Sequence, residues 1–197
     1  MKLGFLASHR GSGVQAVVEA CASGRLAAAP RVVISNNADA EVLARARRYG
    51  IPSCHLSGST HPDPVRLDEA ILDALVSHDV ELVVLAGYLK KLGPQTLRHF
   101  AGRVLNIHPA LLPKFGGQGM YGRRVHEAVL AAGERETGVT IHLADDEFDH
   151  GRIVAQCRVP VLPGDTVESL AARVLDREHA FLVETLVAIV AGAVKLP

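Results

Sequence analysis

One short apolar segment, residues 104–108, carries an amide and an imidazole at alternating positions. In a strand, Leu105 and Ile107 would face one side, and Asn106 and His108 the other. An amide that donates to an oxyanion, beside an imidazole that moves protons near neutral pH, suits acyl transfer. From these residues alone, the alternative is a strand end with a solvated histidine.

An acidic cluster follows in a predicted loop, where four of the five residues 145–149 are Asp or Glu. We expect Asp149 to reach back to the Asn-His face, where a carboxylate would raise the affinity of His108 for a proton. The alternative is a solvated acidic loop. His142 lies opposite the apolar residues of its own predicted strand, so it is a further candidate for a side chain that faces a cleft.

A glycine-containing loop follows the first predicted strand. Gly11, Gly13 and Ala16 have the spacing of a turn that leads into a helix and presents backbone N–H groups to a phosphate. The second strand ends in residues 35–37, Ser-Asn-Asn, where a dinucleotide site would need an acid. The pattern therefore favours a single phosphate over NAD, and a bare tight turn is the alternative.

A carboxylate interrupts the apolar face of the last predicted helix. Glu178 falls on the same helical face as Val174 and Phe181. A carboxylate in that position needs a partner or a cavity. A salt bridge to a Lys or Arg and a ligand-binding role both remain open.

The scaffold that positions these candidates follows from apolar periodicity. Short apolar runs alternate with helical patterns up to residue 108, which predicts βαβ units. Residues 109–122, with two prolines and four glycines, predict a long functional loop. Residues 138–143 and 152–161 predict a hairpin, and the spacing in 165–168 predicts a capped terminal helix. We expect an α/β fold with a doubly wound, mainly parallel sheet, an antiparallel C-terminal extension and a long terminal helix.

Composition excludes several classes of protein. The 197 residues are 48% hydrophobic, and 21 basic side chains balance 21 acidic ones, so the chain is neither disordered nor polybasic. The longest uncharged apolar stretch, residues 185–194, is half of the roughly 20 residues that a membrane-spanning helix needs. Three cysteines without a Cys-x-x-Cys pair encode neither a disulfide framework nor a zinc site. We expect a cytoplasmic protein without a nucleic-acid or membrane partner and without a metal.

Five segments in order resemble the phosphoribosylglycinamide formyltransferases, folate-dependent enzymes of purine synthesis. These segments are residues 8–16, 35–40, 85–88, 105–114 and 146–149. The fourth is typical of the wider formyltransferase superfamily, and the first two narrow the match. The resemblance runs from residue 1 to about residue 191. It implies a Rossmann-like formyltransferase fold and formyl transfer from 10-formyltetrahydrofolate to glycinamide ribonucleotide, with no metal.

The resemblance also implies a role for each matching residue. The catalytic residues would be Asn106, His108 and Asp149. The substrate would be bound by Gly11, Ser12, Gly13 and Glu178. The folate would be bound by Leu85, Tyr88, Leu89, Lys90, Asn106, Ala144, Asp145 and Asp146. Residues 1–197 would form a single domain, with a phosphate-binding half at about 1–100 and a folate and catalytic half at about 101–197.

The implied mechanism is attack of the substrate amine on the formyl carbon. Asn106 and a protonated His108 would stabilise the oxyanion, and Asp149 would orient the imidazole. Two features depart from the family: Gly13 replaces the usual Asn, and the segment 115–122 is longer than usual.

Three alternatives stay open: a related folate-dependent formyltransferase, a formyl-folate hydrolase, and a non-catalytic nucleotide-phosphate binding module. The hydrolase relatives carry an additional N-terminal domain and the tRNA-directed ones a C-terminal domain, and we expect neither here. A monomer and a homodimer are both compatible with the sequence.

Overall fold

A computed structural model describes all residues from 1 to 197 as seven strands and six helices. The strands are β1 (Lys2–Leu6), β2 (Ala29–Ser35), β3 (Ser53–His55), β4 (Leu82–Leu85), β5 (Val104–His108), β6 (Glu136–Leu143) and β7 (Ile153–Pro160). The helices are α1 (Ser12–Ala22), α2 (Glu41–Arg48), α3 (Pro64–Ser77), α4 (Pro94–His99), α5 (Arg123–Ala131) and α6 (Val167–Val190). No helix combines the length and the apolar character needed to span a membrane.

All seven strands form one sheet, in the order β3-β2-β1-β4-β5-β6-β7. The first five strands are parallel, while β6 runs antiparallel to β5 and β7 antiparallel to β6. The predicted doubly wound sheet, its antiparallel extension and the long terminal helix are confirmed. The strand order reverses between β1 and β4, so the loops that follow these strands diverge and leave a crevice at their carboxyl ends.

Helices cover both faces of the sheet and bury its central strands. One apolar cluster of 30 buried residues packs α1, α2, α5 and α6 against one face. A smaller cluster of 12 buried residues packs α3 and α4 against the other face. All four residues of β4 are therefore buried, as expected for a strand covered on both faces.

Helix α1 begins at Ser12, two residues before the predicted start at Val14. Gly11 caps it in the left-handed region, at φ 64°. A Cβ on Gly11 would lie 2.1 Å from Cγ2 of Val42 in α2, so both the backbone angle and the close approach require glycine. Ser12 and Gly13 consequently lie in the first turn of the helix, where backbone N–H groups have no helical partner.

The N-cap of helix α6 lies one residue later than the spacing in residues 165–168 predicts. Thr166, rather than Asp165, is the N-cap: its hydroxyl accepts a hydrogen bond from Ser169 N at 3.2 Å, and Ser169 Oγ accepts one from Thr166 N at 3.0 Å. Glu168, expected as the capping partner, instead pairs with Arg123 at the start of α5. Serine at position 169 completes the reciprocal pair and so shifts the cap.

Candidate active site

Strand β5 and the loop after β6 bring the three predicted catalytic residues together. Asn106 Nδ2 donates to Asp149 Oδ1 at 3.2 Å, and His108 Nδ1 lies 3.4 Å from Asp149 Oδ2. Alternation along β5 puts Asn106 and His108 on one face of the sheet. The amide, imidazole and carboxylate, distant in sequence, thus form one cluster at the carboxyl end of a strand.

The carboxylate of Asp149 is the centre of this cluster, and its side chain is 9% exposed. Its Oδ2 accepts a hydrogen bond from Gly117 N at 3.0 Å. Burial acts to raise the pKa of Asp149, but the imidazoles of His142 and His108 and the Gly117 N–H act against it and prevail, so the pKa lies below its ordinary value. Asp149 is therefore ionised at neutral pH.

The imidazole of His108 is buried and bound at both nitrogens. Nε2 lies 2.8 Å from the carbonyl oxygen of Phe115, and because a carbonyl only accepts, Nε2 carries the proton. Burial lowers the pKa of His108, and Asp149 opposes this effect without cancelling it. The contribution of Asp149 has the predicted sign. Both ring nitrogens face acceptors, Asp149 Oδ2 at Nδ1 and the Phe115 carbonyl at Nε2. The protonated His108 of the implied mechanism stays a prediction.

Asn106 directs its NH2 group into the protein. Nδ2 lies 2.9 Å from His142 Nε2 and 3.2 Å from Asp149 Oδ1, which uses both of its hydrogens. The expected donation from this amide to an oxyanion stays a prediction. His142, which is 1% exposed, was recognised in the sequence as facing a cleft, but it was given no role.

The long loop 109–122 covers the cluster with backbone atoms. The Phe115 carbonyl accepts from His108, and Gly117 N–H donates to Asp149. A Cβ on Gly116 would lie 2.4 Å from Leu112 Cδ2 and 3.1 Å from Asp149 Cβ. Glycine therefore allows this close approach, and residues 115–117 pack against His108 and Asp149.

A cavity of about 1190 Å³ extends from the cluster to the N-terminus of α1. Gly11, Ser12 and Gly13 line its far end, and the N–H groups of Ser12, Gly13 and Val14 have no acceptor within the protein. The Ser12 hydroxyl contacts His179 Nε2 of α6 at 2.9 Å. The predicted phosphate loop thus opens into the same cavity as the three predicted catalytic residues.

Glu178 lines this cavity from α6 and makes no hydrogen bond or ion pair with the protein. Burial raises its pKa to about 7. The salt bridge that was one interpretation of this residue is therefore absent. An unpaired carboxylate in a cavity is available to a ligand.

The predicted folate residues divide between two spaces. Leu85, Tyr88, Lys90, Ala144 and Asp145 line a small pocket of about 50 Å³, which adjoins the main cavity at Asn106. Leu89 lines the main cavity. Burial raises the pKa of Tyr88 to about 12.

Asp146 is the exception among these residues, because it is exposed and lines neither space. Its carbonyl oxygen accepts a hydrogen bond from Lys91 Nζ at 2.7 Å, and the same Nζ lies 5.0 Å from the centre of the Phe148 ring. Lys91 and Phe148 both line the small pocket. No group of three or more His, Cys, Asp or Glu side chains is arranged to hold a metal ion.

Residues 1–186 match the formyl transferase family. The chain is similar to the phosphoribosylglycinamide formyltransferase of Haemophilus influenzae, with 41% identity over 178 residues that cover 90% of this chain and 82% of that protein. It is also similar to the crystal structure of glycinamide ribonucleotide transformylase 1 from Symbiobacterium toebii, with a TM-score of 0.90, 38% identity, and coverage of 98% of this chain and 88% of that one. A formyltetrahydrofolate deformylase from Pseudomonas syringae is more distant, with a TM-score of 0.85, 26% identity, and coverage of 97% and 61%. The chain therefore belongs to the formyl transferase family and, within it, to the phosphoribosylglycinamide formyltransferases.

Proposed function

We propose that this protein transfers the formyl group of 10-formyltetrahydrofolate to the amine of glycinamide ribonucleotide, a step of de novo purine biosynthesis. The observation that carries the proposal is the single cavity that joins Asn106, His108 and Asp149 to the free N–H groups of α1. The names of the similar proteins support the same activity.

The ribonucleotide would occupy the α1 end of the cavity. The N–H groups of Ser12 and Gly13, at the positive end of the helix dipole, would bind its phosphate. The exposed Arg10 also lines this end and adds positive charge. Glu178, which has no protein partner, would accept hydrogen bonds from the ribose hydroxyls. The amine of the substrate would then lie toward Asn106.

The folate would enter beside β4 and the loop 144–149. Leu85, Tyr88 and Ala144 provide an apolar slot that suits a flat heterocycle. This slot adjoins the main cavity at Asn106, so a folate in it would place its formyl group beside the three proposed catalytic residues.

In the transfer, a new C–N bond forms between the amine and the formyl carbon, and the carbonyl electron pair moves to oxygen. His108 Nε2–H, which now donates to the Phe115 carbonyl, would instead donate to this oxyanion. Removing such a donor typically costs on the order of 10²–10³ in rate. Asp149 would stabilise a proton on His108 Nδ1 while a proton moves from the amine to N10, and the C–N10 bond then breaks.

The alternatives differ in what accepts the formyl group. A hydrolase would pass it to water, and a binding module would not transfer it at all. A related formyltransferase would use another amine. The free N–H groups at the N-terminus of α1 favour an amine that carries a phosphate.

The test combines the purified protein with 10-formyltetrahydrofolate and glycinamide ribonucleotide, follows folate absorbance, and identifies the formylated product by mass spectrometry. We expect turnover that requires the amine. Release of formate without the amine would establish a hydrolase. Formyl transfer to the dephosphorylated substrate, glycinamide riboside, at the same kcat/KM as to the ribonucleotide would overturn the assigned substrate. No turnover, with nucleotide binding intact, would indicate a binding module.

Three expectations remain predictions: the division of the single domain at about residue 100, the cytoplasmic location, and the state as monomer or homodimer. The catalytic, substrate-binding and folate-binding roles given above are likewise part of the proposal.

A further inference from the structure

Two consecutive asparagines after β2 have no part in the proposed function. Asn36 and Asn37 stand where a dinucleotide-binding site would carry an acid. Neither side chain lines the main cavity or the small pocket. Both instead make a hydrogen bond to Ser8, the second residue after β1, which is 1% exposed. Side chains therefore join the carboxyl ends of β1 and β2.

The direction of each hydrogen bond in this network follows from one backbone carbonyl. The carbonyl oxygen of Ser8 can only accept, so the part of the Asn37 amide that faces it is the NH2 group. The side-chain oxygen of Asn37 then accepts from Asn36 Nδ2 at 3.3 Å. This leaves Asn36 Oδ1 for the Ser8 hydroxyl, which donates to it at 2.6 Å.

The oxygen of the Ser8 hydroxyl accepts a hydrogen bond from a third segment. With its proton directed at Asn36, Ser8 Oγ presents its lone pairs to Leu89, whose N–H donates at 2.8 Å. Ser8 N–H donates in turn to the carbonyl of Gly87 at 3.0 Å. Ser8 therefore holds the segment 87–89 at both ends, once through its backbone and once through its side chain.

The segment 87–89 is a wall of the candidate active site. Gly87, Tyr88 and Leu89 line the main cavity, and Tyr88 also lines the small pocket. Gly87 turns the chain after β4 at φ 73°, in the left-handed region. No backbone carbonyl accepts from the Leu89 N–H beyond this turn, so the Ser8 hydroxyl is its acceptor in place of a strand carbonyl.

We propose that Asn36 is a positioning residue, which orients the Ser8 hydroxyl so that its oxygen fixes the backbone of Leu89 beside the folate. This role rests on the proposed function, which places Tyr88 and Leu89 at the folate. Linked hydrogen bonds polarise one another, so the loss of Asn36 also weakens the bond between Ser8 and Leu89. A wall that is already ordered in the empty protein reduces the entropy lost when the folate binds.

The first test is independent of activity. Amide hydrogen exchange of the full-length protein, followed by nitrogen-15 NMR, measures the protection of the Leu89 N–H. We expect Ser8→Ala and Asn36→Leu each to speed its exchange at least about fivefold, the effect of one hydrogen bond. Unchanged exchange in Asn36→Leu would overturn the inference.

Ser57→Ala is the matched control for the loss of a serine hydroxyl. Ser57 is the second residue after β3, as Ser8 is after β1, and it is also buried. Its hydroxyl contacts Ser59 Oγ at 2.8 Å, and it lines neither space. The control should leave the exchange of the Leu89 N–H unchanged. An equal acceleration in the control would mean general loosening of the fold and would also overturn the inference.

The second test is steady-state kinetics in a double-mutant cycle. We expect Asn36→Leu to raise the KM for the folate about fivefold, with kcat and the KM for the ribonucleotide within about twofold. In the Ser8→Ala background the same substitution should change the KM for the folate by less than about twofold, because the hydroxyl through which Asn36 acts is absent. Equal effects in both backgrounds would contradict the role of Asn36. So would a lower melting temperature with an unchanged KM, since this would show a role in stability alone.

Failure of this inference can be distinguished from failure of the proposed function. An inactive wild type would contradict the proposed function, while the exchange of the Leu89 N–H would still test the role of Asn36. An active wild type whose KM for the folate is the same in Asn36→Leu would contradict only the role of Asn36. If thermal unfolding shows that Asn36→Leu does not fold, Asn36→Ala removes the same acceptor and takes its place.

Discussion

The two ends of the main cavity differ in whether their polar groups have hydrogen-bond partners within the protein. At the β5 end, Asn106 Nδ2, His108 and Asp149 each have partners within the protein. At the α1 end, the first N–H groups of the helix have no acceptor, and Glu178 has no partner. Both ends belong to the same space of about 1190 Å³.

This difference separates two tasks. Groups that act on a reacting atom need a fixed direction, and a closed hydrogen-bond network provides it. Groups that bind a charged substrate contribute most to the binding free energy when they have no partner in the empty protein, since no hydrogen bond within the protein then has to break. The cost is stability, because unpaired buried polar groups destabilise the empty protein.

The largest effect is expected from breaking the β5 end with Asp149→Asn. An uncharged amide no longer stabilises a proton on His108, and it cannot accept from both Asn106 and Gly117 as two carboxylate oxygens do. We expect kcat to fall on the order of 10²–10³, with both KM values within a few-fold. Steady-state kinetics measures this.

Asp73→Asn is the control for the loss of a carboxylate, because this acid of α3 is exposed and lies outside both spaces. It should leave kcat within about twofold. Unchanged turnover in Asp149→Asn would remove that residue from the mechanism.

An intermediate effect is expected at the other end from Glu178→Gln. A neutral amide accepts more weakly from ribose hydroxyls than a carboxylate does, so the KM for the ribonucleotide should rise roughly tenfold while kcat changes little. A loss confined to kcat would contradict a binding role for Glu178.

Glu178→Gln should also be more stable than the wild type at high pH. The pKa of Glu178 is raised from 4.5 to about 7, so its protonated form contributes stability that is complete below pH 4.5 and is lost as the pH rises to about 7. At pH 8 the Gln variant escapes this loss, and its free energy of unfolding should exceed that of the wild type by on the order of 1–2 kcal/mol. Denaturant unfolding at pH 4.5 and pH 8 measures the difference, which should vanish at the lower pH. If the variant and the wild type had equal free energies of unfolding at both pH values, the ionised carboxylate of Glu178 would not be destabilising.

The smallest effect is expected from Gly13→Asn, which introduces the residue that the resemblance leads us to expect at this position. A Cβ there would meet Ala86 Cβ and Leu182 Cδ2 at 3.6 Å, ordinary contact distances. The new side-chain N–H adds a donor for the phosphate, so the KM for the ribonucleotide should fall about threefold.

Gly11→Ala is the contrasting glycine variant, since its Cβ would meet Val42 at 2.1 Å. It should lower the melting temperature, whereas Gly13→Asn should not. A higher KM in Gly13→Asn would mean that the added side chain obstructs the phosphate.

Local patterns were enough to predict part of this site. Alternation along β5 placed Asn106 and His108 on one face. Helical spacing identified Glu178 as a carboxylate on the apolar face of its helix. Both inferences need only the geometry of one strand or one helix. The fold class followed in the same way, from alternating strand and helix patterns.

Other parts of the site depend on tertiary structure. The contact between Asn106 and His142 requires the β5–β6 register, which no single segment contains. The Phe115 carbonyl and Gly117 N–H are backbone atoms, and every residue offers them, so sequence carries no signal for their use. The direction of the His108 pKa shift depends on burial, which the whole fold decides.

Two consecutive residues of α6 serve different neighbours: Glu178 lines the cavity, and His179 contacts Ser12. Successive side chains on a helix are turned by about 100°, so the two directions hold only for one rotation of α6 about its axis. One residue inserted or deleted between Thr166 and Glu178 would swing both side chains away together. Natural length variation in this part of the chain should therefore be confined to the turn before Thr166 and to the tail beyond the helix.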